Sequence, residues 1–116
     1  MSRVKIMVGG AIEREASHRF MDAWHRAEKG ERFHERRLSF ESWDALTRVL
    51  TSKRIELLRH VHSHNVTSVR ALAKALKRDY SNVHADVRAL LSAGLLDAPN
   101  GCVRADYDVI ETKITI

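Results

Sequence analysis

A chain of 116 residues, under half of them apolar, is sized for one domain with a modest core, or one small domain carrying an arm. Its net charge of +5 and pI of about 9.8 favour nucleic acid or another anionic partner and say nothing of the fold. The single cysteine, Cys102, excludes an internal disulfide, and the N-terminus lacks the apolar run of a signal peptide or membrane span, so a soluble cytoplasmic protein without a membrane partner is expected.

Residues 3–8, RVKIMV, alternate, with Val4, Ile6 and Val8 on one side, and read as a short strand broken by Gly9-Gly10. From Ala11 to Glu28 the period changes: Ile12, Ala16, Phe20, Ala23, Trp24 and Ala27 form one helical stripe, stopped near Gly30. The stretch 31–41 reads as a loop entering a strand that contains Leu38 and Phe40. A short helix follows over 42–50, capped by Ser42, with Trp43, Leu46, Val49 and Leu50 turned inward.

Thr51 caps a helix running to Asn65, with Ile55, Leu58 and Val61 on one face. After the turn at 65–67, a second helix starts at Thr67 or Ser68 and buries Val69, Leu72, Ala73 and Leu76. Asp79 caps a third, which ends at Gly94, a residue suited to the left-handed position after a helix. Leu95-Leu96-Asp97, the turn Pro99-Asn100-Gly101 and Cys102-Val103-Arg104 form a hairpin, because Asn-Gly tolerates positive φ. The last segment, 107–116, is a strand with Ile110, Thr112, Ile114 and Ile116 on one face. Three helices followed by a hairpin predict an α+β protein: a winged helix-turn-helix over 46–116, preceded by a strand-helix-strand arm over 1–45.

The charge is concentrated. Residues 51–94 hold eight Lys and Arg against three Asp and Glu, whereas 95–116 are net acidic. A single-signed segment is where an electrostatic footprint for double-stranded DNA is sought, though a solvated helical surface has the same composition. Within it, helix 79–94 is divided. Val83, Val87, Leu90 and Leu91 cluster on one flank, while Ser81, Ala85, Arg88 and Ser92 lie opposite, with Asn82 and His84 on the shoulders. Such a helix anchors by its aliphatic side and offers the other to the major groove, where Asn reads adenine and Arg reads guanine. Candidate base contacts are therefore Ser81, Asn82, His84 and Arg88. Candidate phosphate contacts are Ser68 and Arg70 at a helix N-terminus, Lys74, Lys77, Arg78 and Tyr80, with Arg104 on the wing. Each has a plainer reading: Asn82 as a first-turn hydrogen-bonding residue, His84 on the surface, Arg88 paired with Asp86 or Glu56, and Tyr80 in packing.

Segment 68–96, SVRALAKALKRDYSNVHADVRALLSAGLL, resembles the winged-helix regulators of the broad MarR-like group. SFESWDALTRVLTSKRIELL at 39–58, DYSNVHADV at 79–87, LSAGLL and the closing YDVIETKITI are similar to a family of small DNA-binding proteins of bacteria and archaea. The resemblance covers most of the chain and is loosest over 1–35. It implies a repressor of its own operon, and, since members often sit beside a gene for a small toxin-like protein, an antitoxin. One departure is Ser52, where Pro is expected after the capping Thr.

A roughly palindromic operator requires a homodimer, whose expected contacts are Val4, Ile6, Phe20 and Trp24 with the C-terminal strand. The alternative is an antitoxin acting mainly by binding a small toxin protein through residues 1–45. RNA is disfavoured by the scarcity of aromatic residues. His60 and His64 share a helical face but lack a third metal ligand, Asp22 and His25 lack a nucleophile, and no nucleotide-binding or hydrolase motif occurs. No enzyme activity, metal or cofactor is expected.

Overall fold

The computed structural model describes residues 2–9 and 34–116. The helix expected over 11–28, with Phe20, Trp24 and the Asp22/His25 pair, lies outside the described residues. The described elements make a mixed α+β protein: β1 (Ser2–Val8), β2 (His34–Phe40), α1 (Trp43–Val49), α2 (Ser52–Ser63), α3 (Val69–Leu76), α4 (Tyr80–Ala93) and β3 (Val109–Ile114), with a short 3-10 turn at Pro99–Gly101. They fall into two compact units, residues 1–46 with 107–116, and residues 47–106.

The first unit is a three-stranded parallel sheet in the order β2-β1-β3. Parallel neighbours need a crossover of a dozen or more residues, and both partners of β1 lie far from it in sequence. Alternation sorts the side chains. Val4, Ile6 and Val8 are buried, in register with Leu38 and Phe40 on β2 and with Ile110, Thr112 and Ile114 on β3. The other face carries buried Met7 and, beside it, charges: Arg3 pairs with Glu111 at 3.2 Å, and Glu35 is shared by Lys5 and Arg37.

This arrangement changes two expectations. Val4 and Ile6, expected at a dimer or partner contact, are fully buried within the single chain because β1 is the central strand. The closing strand, expected to belong with the helices of 46–116, pairs with β1 instead. Gly9, at φ +73°, ends β1 and donates its N–H to Phe40 O. Ser42 caps α1 through Ala45 N, as its position suggests, but Trp43 is half exposed, not inward, and Leu46 is the buried residue of that helix.

The second unit is built by local rules that the sequence displays. Thr51, Ser68 and Asp79 cap α2, α3 and α4 through the amides of Arg54, Ala71 and Asn82. Gly94 closes α4 in the left-handed conformation. The core consists of Leu57, Leu58 and Val61 from α2, Leu72 and Ala73 from α3, and Val83, Val87 and Leu90 from α4, with Leu95, Leu96 and Val103. The two arms of the expected hairpin meet at one antiparallel bridge, and a second bridge ties the return arm to the α2–α3 connection. Asp97 and Arg104 exchange backbone hydrogen bonds, and Val103 pairs with Val66 from the α2–α3 connection. Asn100 and Gly101 take positive φ at the tip.

Candidate nucleic-acid interface

Three residues, Lys77-Arg78-Asp79, join α3 to α4. Lys77 turns the chain at φ 54°, ψ 47°, and the amides of Lys77 and Arg78 close α3 on Lys74 O and Ala73 O. Asp79 then starts α4 in a new direction. Residues on the outer face of α3 and in the first turn of α4 are exposed on either side of this joint.

On α4 the split expected from the sequence is realised. Val83, Val87 and Leu90 are buried, while Ser81, Asn82, Ala85 and Arg88 are exposed and His84 is half-exposed. On α3, Arg70 and Lys74 are exposed beside Ala71 and Ala75, which are also exposed. The two α3 alanines are not marked in the sequence, because an alanine carries no chemical signal of its own. Their small side chains leave the helix surface low between its cations.

Arg70, Tyr80 and His84 form one layered group. The Arg70 guanidinium carbon lies 4.8 Å from the centre of the Tyr80 ring, and the His84 ring is 5.7 Å from it on a tilt of 38°. A cation over an aromatic face is held electrostatically. Tyr80 therefore both packs and positions Arg70 while remaining exposed. Ser68 caps α3, accepting from Ala71 N at 3.0 Å, so its oxygen is engaged while its O–H can still donate.

Arg78 does not fit the phosphate-contact expectation. Its Nη2 donates to Asp86 Oδ2 at 2.7 Å, and Nη1 is buried. Asp86 Oδ1 accepts from Arg54 Nε at 2.9 Å, and Arg54 Nη1 also donates to the carbonyls of Arg48 and Val49. This knot ties the end of α1, α2, the α3–α4 turn and α4 together. Burial alone pushes the Asp86 carboxyl up, but hydrogen bonds from Arg54 and Arg78 and the charges of both outweigh it and hold it below its ordinary value. Asp86 is thus the partner of Arg54 and Arg78, and Arg88 is left on the surface. Nothing in the sequence marks Arg54 as a structural residue. Its position in the first turn of a capped helix gives no hint of a partner 32 residues away.

Arg104 is exposed on the hairpin, anchored by its backbone to Asp97. The unit of residues 47–106 carries ten Lys and Arg against five Asp and Glu, the whole net charge of the chain, while the sheet unit balances at ten each. With Arg54 and Arg78 turned inward on Asp86, its exposed cations are Arg48, Lys53, Arg59, Arg70, Lys74, Lys77, Arg88 and Arg104.

The histidines at the end of α2 and just after it have local roles. His60 and His64 stack at 4.0 Å and 8°, and His62 Nδ1 lies 3.0 Å from Ala105 O. Burial first, and the neighbouring His64 second, push His60 below its ordinary value. Among the described residues, no three His, Cys, Asp or Glu side chains gather as a metal site, and no helix is long and apolar enough to cross a membrane.

No curated protein and no solved structure matches the chain. A family model, HVO_A0114, matches residues 49–112, which takes in α2 to α4, the hairpin and most of β3. The chain therefore belongs to the HVO_A0114 family.

Proposed function

We propose that the chain is a sequence-specific DNA-binding regulator of the winged helix-turn-helix type, acting as a dimer on a palindromic operator and repressing its own gene. The observation that carries this reading is the exposed flank Ser81, Asn82, Ala85 and Arg88 on a helix whose opposite flank is buried. A major groove admits a helix of this kind, and its N-terminal half makes the base contacts. The reading is supported by the three-residue joint to α3, by the Val66–Val103 bridge that seats the hairpin beside the helices, and by the restriction of net charge to this unit. Arg70, Lys74, Lys77 and Arg104 serve as phosphate contacts. The resemblance to MarR-like regulators points the same way. Footprinting the full chain on DNA upstream of its own gene tests the reading: protection of a two-fold symmetric site supports it, and uniform weak binding to any duplex opposes it.

The antitoxin reading is favoured by one separate feature, a sheet unit that carries no net charge and that DNA contact does not require. Co-purification of a small neighbour-encoded protein with the full chain tests it. Deleting residues 1–45 is a poor test, because it removes the central strand and strips β3 of its only strand partner among the described residues.

A further inference from the structure

Strand β3 is an edge of the described sheet, and every residue from Glu111 to Ile116 is exposed, including half of Ile114. We propose that this edge pairs antiparallel with β3 of a second copy about a two-fold axis through Thr112, joining two three-stranded sheets into one of six.

The register follows from three observations. The first is which backbone groups face outward. Asp108 donates its N–H to Ser2 O, so by alternation Ile110 and Thr112 also face β1, and the amides and carbonyls of Val109, Glu111 and Lys113 face away from it. Only these odd-numbered residues can exchange hydrogen bonds with a new strand. The alternation slips at Thr115, whose N–H returns to Val8 O, so the pairing core is 110–114.

The second observation is charge. Pairing odd residues with odd residues leaves three central registers. One sets Glu111 against its own copy, another sets Lys113 against its own copy, and both juxtapose like charges. The third sets Glu111 opposite Lys113 twice over, with Thr112 on the axis. Opposite charges facing across strands stabilise a pair and like charges oppose it.

The third observation is the facing of the sheet. In that same register Ile110 lies opposite Ile114 of the other copy. Both belong to the face that carries Val4, Ile6 and Val8, which are buried. Directly opposite residues of an antiparallel pair point the same way, so the apolar faces of the two sheets become continuous, and Glu111 and Lys113 extend the charged face of Arg3, Lys5 and Glu35. A short edge strand bearing a lysine is also a device that keeps strands from pairing. Here the same lysine has an acid two residues away that makes it complementary to its own copy.

This pairing supplies the dimer assumed in the DNA-binding reading, but its test uses no DNA, so either can fail alone. Sedimentation of the full chain is expected to show a dimer that Lys113→Glu weakens at least tenfold, since Glu then faces Glu. Glu111→Lys is expected to behave likewise. Mixing the two variants sets Lys at 111 and 113 of one chain against Glu at 113 and 111 of the other, and is expected to restore dimers that are strictly mixed. Should a variant fold poorly, Thr112→Cys in a Cys102→Ser background is the second measurement, because a residue on the axis meets its own copy and is expected to cross-link on oxidation. A monomeric wild type, single variants that dimerise undiminished, or a Cys at 112 that does not cross-link overturns the proposal.

Discussion

Asp86 shows most clearly how one residue in this protein joins elements distant in sequence. It holds Arg54 and Arg78, while Arg88, two positions on, is exposed on the outer flank of α4. Asp86→Asn leaves two guanidinium groups facing a neutral amide. The side chains concerned are 14–20% exposed, so the expected loss is about 2 kcal/mol, below the range for fully buried pairs. Because the folded carboxyl is held below its unfolded value, this contribution is present at neutral pH and disappears as pH falls through the depressed value. Urea unfolding from neutral to acid pH checks the sign: the gap between wild type and Asp86→Asn closes toward acid. On the flank of α4 proposed to read DNA, Asn82→Ala and Arg88→Ala are each expected to remove about 1–3 kcal/mol of base discrimination while leaving the urea midpoint unchanged, which competition binding with single-base variants of the proposed operator measures.

Among the elements, the α3–α4 joint is where stability and the proposed DNA binding are expected to part. Lys77 is a non-glycine residue in the left-handed region, which costs about 1 kcal/mol or more and is partly recovered by its lower unfolded-state entropy than glycine's. Lys77→Gly is therefore expected to raise stability by about 0.5 kcal/mol while weakening DNA binding, an opposition that paired melting and titration measurements reveal. The chemistry of this joint and its surroundings is legible in the sequence: Asp79 as a cap, Gly94 as a stop, Asn100-Gly101 as a turn, and the Val83–Val87–Leu90 flank all follow from local rules. What is not legible depends on distant partners. That 109–114 lies beside 3–8 in parallel, burying Val4 and Ile6, follows from sheet order rather than from either segment's alternation. Trp43 reads as inward because aromatic residues usually pack, whereas α1 buries Leu46. Arg78 reads as a surface cation because Asp86, with which it pairs, lies two turns along the next helix.

For the whole molecule, the division of charge is the organising feature. One unit holds the entire net positive charge and the other is balanced. The DNA binding proposed for the first is expected to be strongly salt-dependent, and removing one proposed phosphate contact to lower the slope of log K against log salt by about one unit. Lys77→Ala and Lys74→Ala are each expected to do so while weakening all sequences alike. Arg78→Ala is expected to act mainly on stability, since its charge is already matched by Asp86. The measurement that bears most directly on the proposed DNA recognition by α4 is titration of the full chain, wild type and Asn82→Ala/Arg88→Ala, against its upstream DNA and a scrambled duplex. Wild type is expected to prefer the upstream site by at least about a hundredfold, and the double variant to keep its affinity for the scrambled duplex but lose that preference. Equal binding of both duplexes by wild type, or an undiminished preference in the double variant, would contradict recognition through this helix.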